Sequence, residues 1–390
     1  MPEYTLKHKS DGTPYVRMYI GKSPLGEPIR KYRTFPGMTD DEARAAIQEW
    51  VAAFSKDPGA SVTLGEAIET YIIEYDAAGH SPNTIETYTT FSKYFDRYWK
   101  RALGEVTTPM LNSLFVDLRE KGVGNGPLSA RTVHGARAFL SAVYNHYVRA
   151  GIVSGNPVKG TLSQVGYSHE AQAFSEYDVA ILMDEVQMVL EAVPAMETKE
   201  IVRRNVAQAI DIAIHTGLRV GEVCALRRRD ASLGQKAITV GGTVCDTPRT
   251  GVQRRDCTKS GKSRRVAITP ELVEHLRDHM TWQDGYIEEP TGNTPLITAN
   301  GKYWSPRSLG KSAVSFMRDC GVSEGTFHTL RHTHATHLLM ARIDPKTVQE
   351  RLGHADVAMT LRLYGHVMPG RDEQAAQTMV DLLNSYRGLE

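Results

Sequence analysis

The 390 residues exceed one ordinary domain, and 46 Lys and Arg against 45 Asp and Glu leave a formal charge of +1, so total charge carries no argument for a polyanionic partner. Four scattered cysteines, Cys224, Cys245, Cys257 and Cys320, have no CxxC spacing, which excludes a disulfide scaffold and a thiolate zinc module and suits a reducing compartment. With no apolar core of signal-peptide kind at the start and no apolar run near the ~20 residues of a membrane span, the chain reads as soluble and cytoplasmic.

The first residues alternate as strands do. Val16, Met18 and Ile20 fall on one face and Tyr15, Arg17 and Tyr19 on the other. Asp11-Gly12 supplies a hairpin turn before this run, and a second strand-like run, Ile29 to Phe35, follows the turn-rich stretch Ser23 to Pro28. Thr39-Asp40-Asp41-Glu42 then reads as a capping box, opening a helix with Ile47, Trp50, Val51 and Phe54 as its apolar stripe. Residues 1–54 are therefore expected to form a three-stranded sheet backed by one helix. Seven cations, Lys7, Lys9, Arg17, Lys22, Arg30, Lys31 and Arg33, face three acids in residues 1–35. One sheet face is thus expected to be basic and tyrosine-rich, either a solvated surface or a polyanion-binding one.

A linker over residues 55–61 leads into four predicted helices within 62–158. Thr63-x-x-Glu66 caps the first, with Leu64, Ile68, Ile72 and Tyr75 at helical spacing. Ser81-Pro82 and Thr108-Pro109 open the second and third with proline at the first helical position. Ser129 opens the fourth, whose stripe of Val133, Ala136, Leu140, Val143 and Tyr147 runs toward Gly151, and Asn156-Pro157 closes the segment. Residues 159–173 lack periodicity and read as a second linker. From Ser175 helices mix with a short sheet near 238–268, so the fold class is multidomain: a small sheet-plus-helix head, an all-α domain, and a mixed, mainly helical α+β domain over 174–390.

Charge is unevenly distributed. Between Arg219 and Arg265 there are twelve Lys and Arg against four acids, whereas residues 271–290 hold six acids and one arginine. A positive block of this kind suits a phosphate-backbone partner, because each cation that displaces condensed counterions favours binding. The alternative is a solvated, charged hairpin.

Five short motifs follow one another in the last 180 residues: His215-Thr216-Gly217-Leu218-Arg219-Val220-Gly221-Glu222, Thr258-Lys259-Ser260, His328-Thr329-Leu330-Arg331-His332-Thr333, Leu352-Gly353-His354 and Tyr364-Gly365-His366. In this set the sequence resembles the tyrosine recombinase (phage integrase) family, whose catalytic residues match Arg219, Lys259, His328, Arg331, His354 and Tyr364 in order. The resemblance to the catalytic domain covers about 174–386. Residues 62–158 also look like the family's helical, SAM-like core-binding domain. The head, 1–54, is similar in pattern to the arm-type DNA-binding domain of integrases from phages and integrative conjugative elements.

The motifs also have a local reading. Gly217 permits the positive φ of a helix end, so that Arg219 is expected in the first turn of the next helix, sharing a face with Glu222. A guanidinium held by a carboxylate presents a fixed fork of donors that suits phosphodiester oxygens. His328 and Arg331 are likewise three apart at a helix start, where backbone N–H groups favour an anion. Lys259 is expected at a hairpin tip between the runs 238–246 and 264–268, with Lys262 beside it. Asp344-Pro345 opens a short helix ending at Gly353, which leaves His354 just past its C-terminus, and Asp356 is expected to cap the helix bearing Tyr364.

The resemblance implies Tyr364 as nucleophile, with a phenol pKa near ~10 that nearby cations or a base must offset. It implies His328 as base, Lys259 as general acid to the departing 5′ oxygen, and His354 as a donor to phosphate. Arg219 and Arg331 would neutralise charge on a pentavalent phosphorane with no metal or other cofactor. It further implies double-stranded DNA carrying core-type and arm-type sites, a homotetramer on DNA with Met379, Val380, Leu382 and Leu383 packing on a neighbour, and DNA-bending or directionality factors. Candidate DNA contacts are the seven head cations together with Arg254, Arg255, Lys262, Arg264 and Arg265. His328, His332, His334 and His337 are close enough in sequence to suggest zinc, but helical geometry puts the last two on another face and no HExxH glutamate follows. The remaining alternatives are a DNA-binding regulator that has lost cleavage and an enzyme of the type IB topoisomerase kind.

Overall fold

The computed structural model describes residues 4–8, 12–22, 28–56, 62–124, 126–162, 173–192, 196–257, 261, 263–322, 325–354 and 371–386. Two units divide the chain, Met1–Ser168 and His169–Glu390.

In the first unit, strands β1 (Tyr4–His8), β2 (Pro14–Lys22) and β3 (Pro28–Thr34) form an antiparallel sheet in that order. Lys7 lies opposite Tyr15, and Tyr15 opposite Thr34; the register shifts between Tyr19 and Gly21. Helix α1 (Asp40–Lys56) starts where the Thr39 backbone N–H and hydroxyl each donate to the Glu42 carboxylate at 2.8 Å. Val16 and Phe35 from the sheet meet Ala43 and Ile47 from the helix in a small buried core, with Trp50 partly buried beside them. The helix reaches one residue past Ser55 into the stretch read as linker.

Register corrects the expected basic face. Arg33 pairs with Val16, and directly opposed residues share a sheet face, so Arg33 lies on the helix side. Its guanidinium sits 5.6 Å from the Phe35 ring and 5.8 Å from Trp50, a cation–π contact. Lys7 and Arg17 are exposed. Lys22, Arg30 and Lys31 are strand residues, and Lys9 lies outside the described residues.

The same unit holds α2 (Leu64–Ala77), α3 (Pro82–Ser92), α4 (Thr108–Glu120) and α5 (Ala130–Arg149). Thr63 and Glu66 cap each other reciprocally, the Thr63 N–H donating at 2.9 Å and its hydroxyl accepting at 3.2 Å. Ser129 accepts from the Thr132 N–H at 3.1 Å. At α4 the cap residue is Thr107, one residue earlier than expected, and Pro109 follows Thr108 inside the first turn. Leu64, Ile68, Phe95, Leu111, Phe115, Val133, Ala136, Leu140 and Val143 are buried together. Gly65 lies so close to Trp99 that a Cβ there would come within 2.4 Å of the indole. The stretch from Lys159, read as linker, is still packed as far as Leu162: Arg137 donates to the Thr161 hydroxyl at 2.6 Å, and the Leu162 N–H to Asn112 at 2.9 Å.

The second unit is built on α7 (Thr198–Thr216), nearly all of it buried from Arg204 to Ala213, with α6 (Glu176–Glu191), α9 (Pro270–Gln283), α10 (Pro306–Asp319) and α11 (Phe327–Met340) packed against it. Helices α8 (Val220–Ala225) and α12 (Pro345–Leu352) are short. Strands β4 (Ala231–Ser232), β5 (Ala237–Val240) and β8 (Arg264–Ala267) make one antiparallel sheet, while β6 (Thr243–Thr247) and β7 (Gly251–Arg255) pair separately. The single strand read over 238–246 is thus two strands in two sheets, interrupted at Gly241-Gly242. Helix α13 (Arg371–Tyr386) follows, exposed throughout residues 376–386. Among the described residues no helix is long and apolar enough to cross a membrane.

Candidate active site

The centre of the second unit is assembled from helix ends. Helix α7 stops at Gly217, whose φ of +69° suits glycine, and a Cβ there would come within 2.5 Å of Leu352 and 2.7 Å of the His334 ring. Arg219 then stands at the cap position of α8, ahead of its first turn rather than within it. Its backbone N–H donates to Glu222 Oε2 at 3.0 Å and its Nη1 to Oε1 at 2.9 Å, so the fork is fixed at both its root and its tip.

Glu222 is 2% exposed and holds a second cation. Arg264, the first residue of β8, donates through Nη2 to Oε2 at 2.8 Å and through Nη1 to Oε1 at 3.2 Å. Burial alone would raise the Glu222 carboxyl, yet the Arg264 and Arg219 guanidiniums hold it below the ordinary glutamate value. One carboxylate therefore orients two arginines.

A third arginine enters from α11. Arg331 is 2% exposed and bridges two helix ends, Nη1 donating to the Gly217 carbonyl at 2.7 Å and Nη2 to that of Leu352 at 2.9 Å. Helix α12 begins at Asp344, whose carboxylate accepts from the Thr347 N–H at 2.8 Å, and ends at Gly353 with φ +66°. Its final carbonyls are shared out among arginines: that of Arg351 accepts from Arg264 Nε at 2.9 Å, that of Leu352 from Arg331, and that of Gly353 from Arg219 Nη2 at 3.4 Å. The negative end of the α12 dipole draws these cations together and offsets part of their mutual repulsion.

His354 follows directly and is 6% exposed. Burial, then the nearby charges of Arg331, Arg219, Arg264 and His328, push its pKa down to about 4, so its ring is neutral at pH 7. His328 is exposed in the first turn of α11, its ring 4.6 Å from that of His332, edge to face. Arg219, His328, Arg331 and His354 therefore belong to one neighbourhood. Lys259, in the connection from β7 to β8, and Tyr364, between His354 and α13, lie outside the described residues, as do Asp356 and Lys262.

Two of the cations read as DNA contacts face the protein instead. Arg264 is engaged with Glu222, and Arg254 donates to the Ala225 carbonyl at 2.9 Å and pairs with Asp256, its side chain only 6% exposed. Charge density along a sequence does not reveal which guanidiniums find buried oxygens. Arg265 is exposed and donates to the Gln235 side chain at 2.9 Å; Arg255 lies opposite Thr243 in the β6–β7 hairpin.

Sequence reasoning missed the network behind these residues. His334 and Arg351 hold the end of α7, and the fully buried Asp211 carboxylate bonds His275 Nδ1 at 2.9 Å and lies 2.9 Å from His215 Nδ1, which bonds the Asp211 carbonyl at 3.0 Å. Burial would raise the Asp211 carboxyl, but the two imidazoles lower it. The i, i+4 spacing of Asp211 and His215 was the visible signal; His275 and Arg351 had none. Among the described residues no three His, Cys, Asp or Glu side chains are grouped to hold a metal ion.

Residues 180–371 match the phage integrase family. The chain is similar to a XerC-like tyrosine recombinase of Caldanaerobacter subterraneus, 25% identical over 388 residues that cover 94% of this chain and 95% of the relative. It is also similar to the integrase of Staphylococcus phage L54a, 29% identical over 191 residues, 46% of this chain and 52% of that one. Among solved structures, its fold resembles the Tn1549 transposon integrase in complex with a circular intermediate DNA (TM-score 0.67, 19% identity, 82% of this chain and 99% of that chain). It likewise resembles a lambda integrase tetramer bound to a Holliday junction (TM-score 0.55, 18% identity, 92% and 94%). Residues 180–371 thus form a phage integrase family domain, and the chain is a tyrosine recombinase.

Proposed function

We propose that this recombinase integrates or excises a mobile element by cutting and rejoining DNA strands through a 3′-phosphotyrosine. The observation that carries the reading is the convergence of Arg219 and Arg331 on adjacent carbonyls at the end of α12, beside His354. Two fixed guanidiniums there can bind the nonbridging oxygens of one phosphodiester and neutralise the charge that builds as a fifth ligand joins phosphorus.

In the proposed reaction the Tyr364 hydroxyl attacks phosphorus and gives its proton to His328. The bond from phosphorus to the 5′ oxygen breaks, and that oxygen takes a proton from Lys259. His354, neutral, donates its N–H to a phosphate oxygen. Rejoining runs the same steps backward with the 5′ hydroxyl of another strand, so the phosphotyrosine conserves the bond's energy. Residues 1–54 are assigned to arm-type DNA, 62–158 to the core-type site and 174–390 to catalysis, with a homotetramer as the working assembly. The exposed Met379, Val380, Leu382 and Leu383 of α13 support packing on a neighbouring subunit.

A suicide duplex, nicked so that the cleaved end is lost, tests the reading. A covalent protein–DNA adduct formed without Mg²⁺ and abolished by Tyr364→Phe is expected. No adduct would leave a non-cleaving binder, and one that persists in that variant would overturn the nucleophile assignment.

A further inference from the structure

The end of α12 is held to the end of α7 by contacts that reach no substrate. Three carbonyls in the last turn of α7 and just beyond it each take a different donor. That of Ile214 accepts from His334 Nδ1 at 2.7 Å, that of His215 from Arg351 Nη2 at 2.7 Å, and that of Gly217 from Arg331 Nη1 at 2.7 Å. Arg351 also donates through Nε to His334 Nε2 at 3.0 Å. These partners define the state of His334. Its Nδ1 carries the proton, because a carbonyl only accepts, and its Nε2 offers a lone pair, because guanidinium only donates. The ring is 8% exposed, and burial together with the Arg351 charge lowers its pKa to about 4, consistent with a neutral ring.

Arg331 spans both helices, from the Gly217 carbonyl to the Leu352 carbonyl. A guanidinium is flat and rigid, so the separation of those two oxygens decides how its remaining donors are aimed. That separation is bridged directly by the Arg351–His334 pair, since Arg351 is a residue of α12, His334 of α11, and both bond to α7. We propose that Arg351 and His334 are positioning residues, a neutral imidazole–guanidinium tie that sets the register of the α12 end against the α7 end. Through it, Arg331, Arg219 and His354 are aligned on one phosphate. This rests on the reading that Arg219 and Arg331 bind the scissile phosphodiester. The hydrogen bonds of the tie go to protein atoms, and α12 keeps its apolar anchorage without it, because Val348 and Leu352 are buried against Ala335 and Leu339.

The test uses the full chain, single-turnover adduct formation on a suicide duplex, and a second duplex with an uncharged methylphosphonate at the scissile position. His334→Phe and Arg351→Met are expected to slow adduct formation on ordinary DNA by up to about 10²-fold, the scale of an ångström's misplacement, while core-site affinity stays within about twofold. The double variant is expected to be no slower than the worse single one, as for two residues acting as one unit. His334→Gln, which keeps a donor and an acceptor, restores most of the rate. On methylphosphonate DNA the charge that the arginines neutralise is reduced, so the deficits of both variants shrink toward wild type. Arg331→Ala on both duplexes is the reference. If its deficit fails to shrink on the neutral ester, the phosphate reading fails. If its deficit shrinks but those of His334→Phe and Arg351→Met persist unchanged, or if these variants cleave at the wild-type rate, the positioning role fails. Should His334→Phe not fold, Arg351→Met and Arg351→Lys carry the same comparison.

Discussion

At the scale of single residues, the site shows how neighbours decide what a named side chain does. Arg219 is a fork because Glu222 grips it twice, and His354 is neutral because burial and the arginines around it push its pKa down to about 4. A free histidine titrates near ~6.5, so at pH 7 His354 has one N–H to donate. Phosphate between Arg219 and Arg331 would cancel the charges that depress it. Its pKa is therefore expected to rise when the Tyr364→Phe chain binds core-site DNA. The complex then takes up a proton as pH falls toward that raised value, and affinity strengthens in the same direction. Ring-resonance titration by NMR, with and without DNA, measures this. A pKa that stays put on binding would mean that no phosphate sits over these guanidiniums. Motif spacing brought Arg219, Arg331 and His354 into view but not Arg351, and it singled out His334 only as a zinc candidate, because the carbonyls that both residues bond belong to a helix far away in the chain.

Elements matter here chiefly through their ends. The α7 and α12 C-termini supply oxygens, α8 supplies the Glu222 carboxylate, and β8 begins with the arginine that Glu222 holds in place. Removing that carboxylate would strand Arg264 against buried carbonyls with no counter-charge. Glu222→Ala is thus expected to destabilise the second unit by about 3–5 kcal/mol, the usual scale for breaking a buried pair from one side. Glu222→Gln, able to accept from one arginine, should cost less. Urea denaturation followed by Trp fluorescence reads both, and a loss under about 1 kcal/mol for the alanine variant would contradict the bridging role. Most helix boundaries were legible: Thr63, Ser129 and Asp344 announce starts, and Gly217 and Gly353 announce stops, because caps and positive-φ stops are local chemistry. The division of residues 237–267 between two sheets was not, because strand propensity is blind to which ladder a strand will join.

For the whole molecule, the question is whether the head and the remainder read separate DNA. Lys7 and Arg17 are exposed on the head, whereas Arg219, Arg264 and Arg331 of the second unit gather at the end of α12. If the proposed division holds, the full chain should protect two distinct DNA segments, and a chain beginning at Ser61 should protect the core-type segment alone, with weaker overall binding from the lost second contact. Sequencing the protected fragments measures this; identical footprints from both chains would remove the arm-binding assignment. Length, the succession of caps and stops, and the order of the motifs were determined by the sequence by itself, since each depends on residues a few positions apart. Only the tertiary structure decided which cations face inward. Arg264 meets a carbonyl 87 positions away, Arg331 one 114 away and Arg219 one 134 away. Arg254 and Arg264 have the same side chain as the exposed Arg265, and only the packing of helix ends separates the guanidiniums that hold the protein together from those left to solvent.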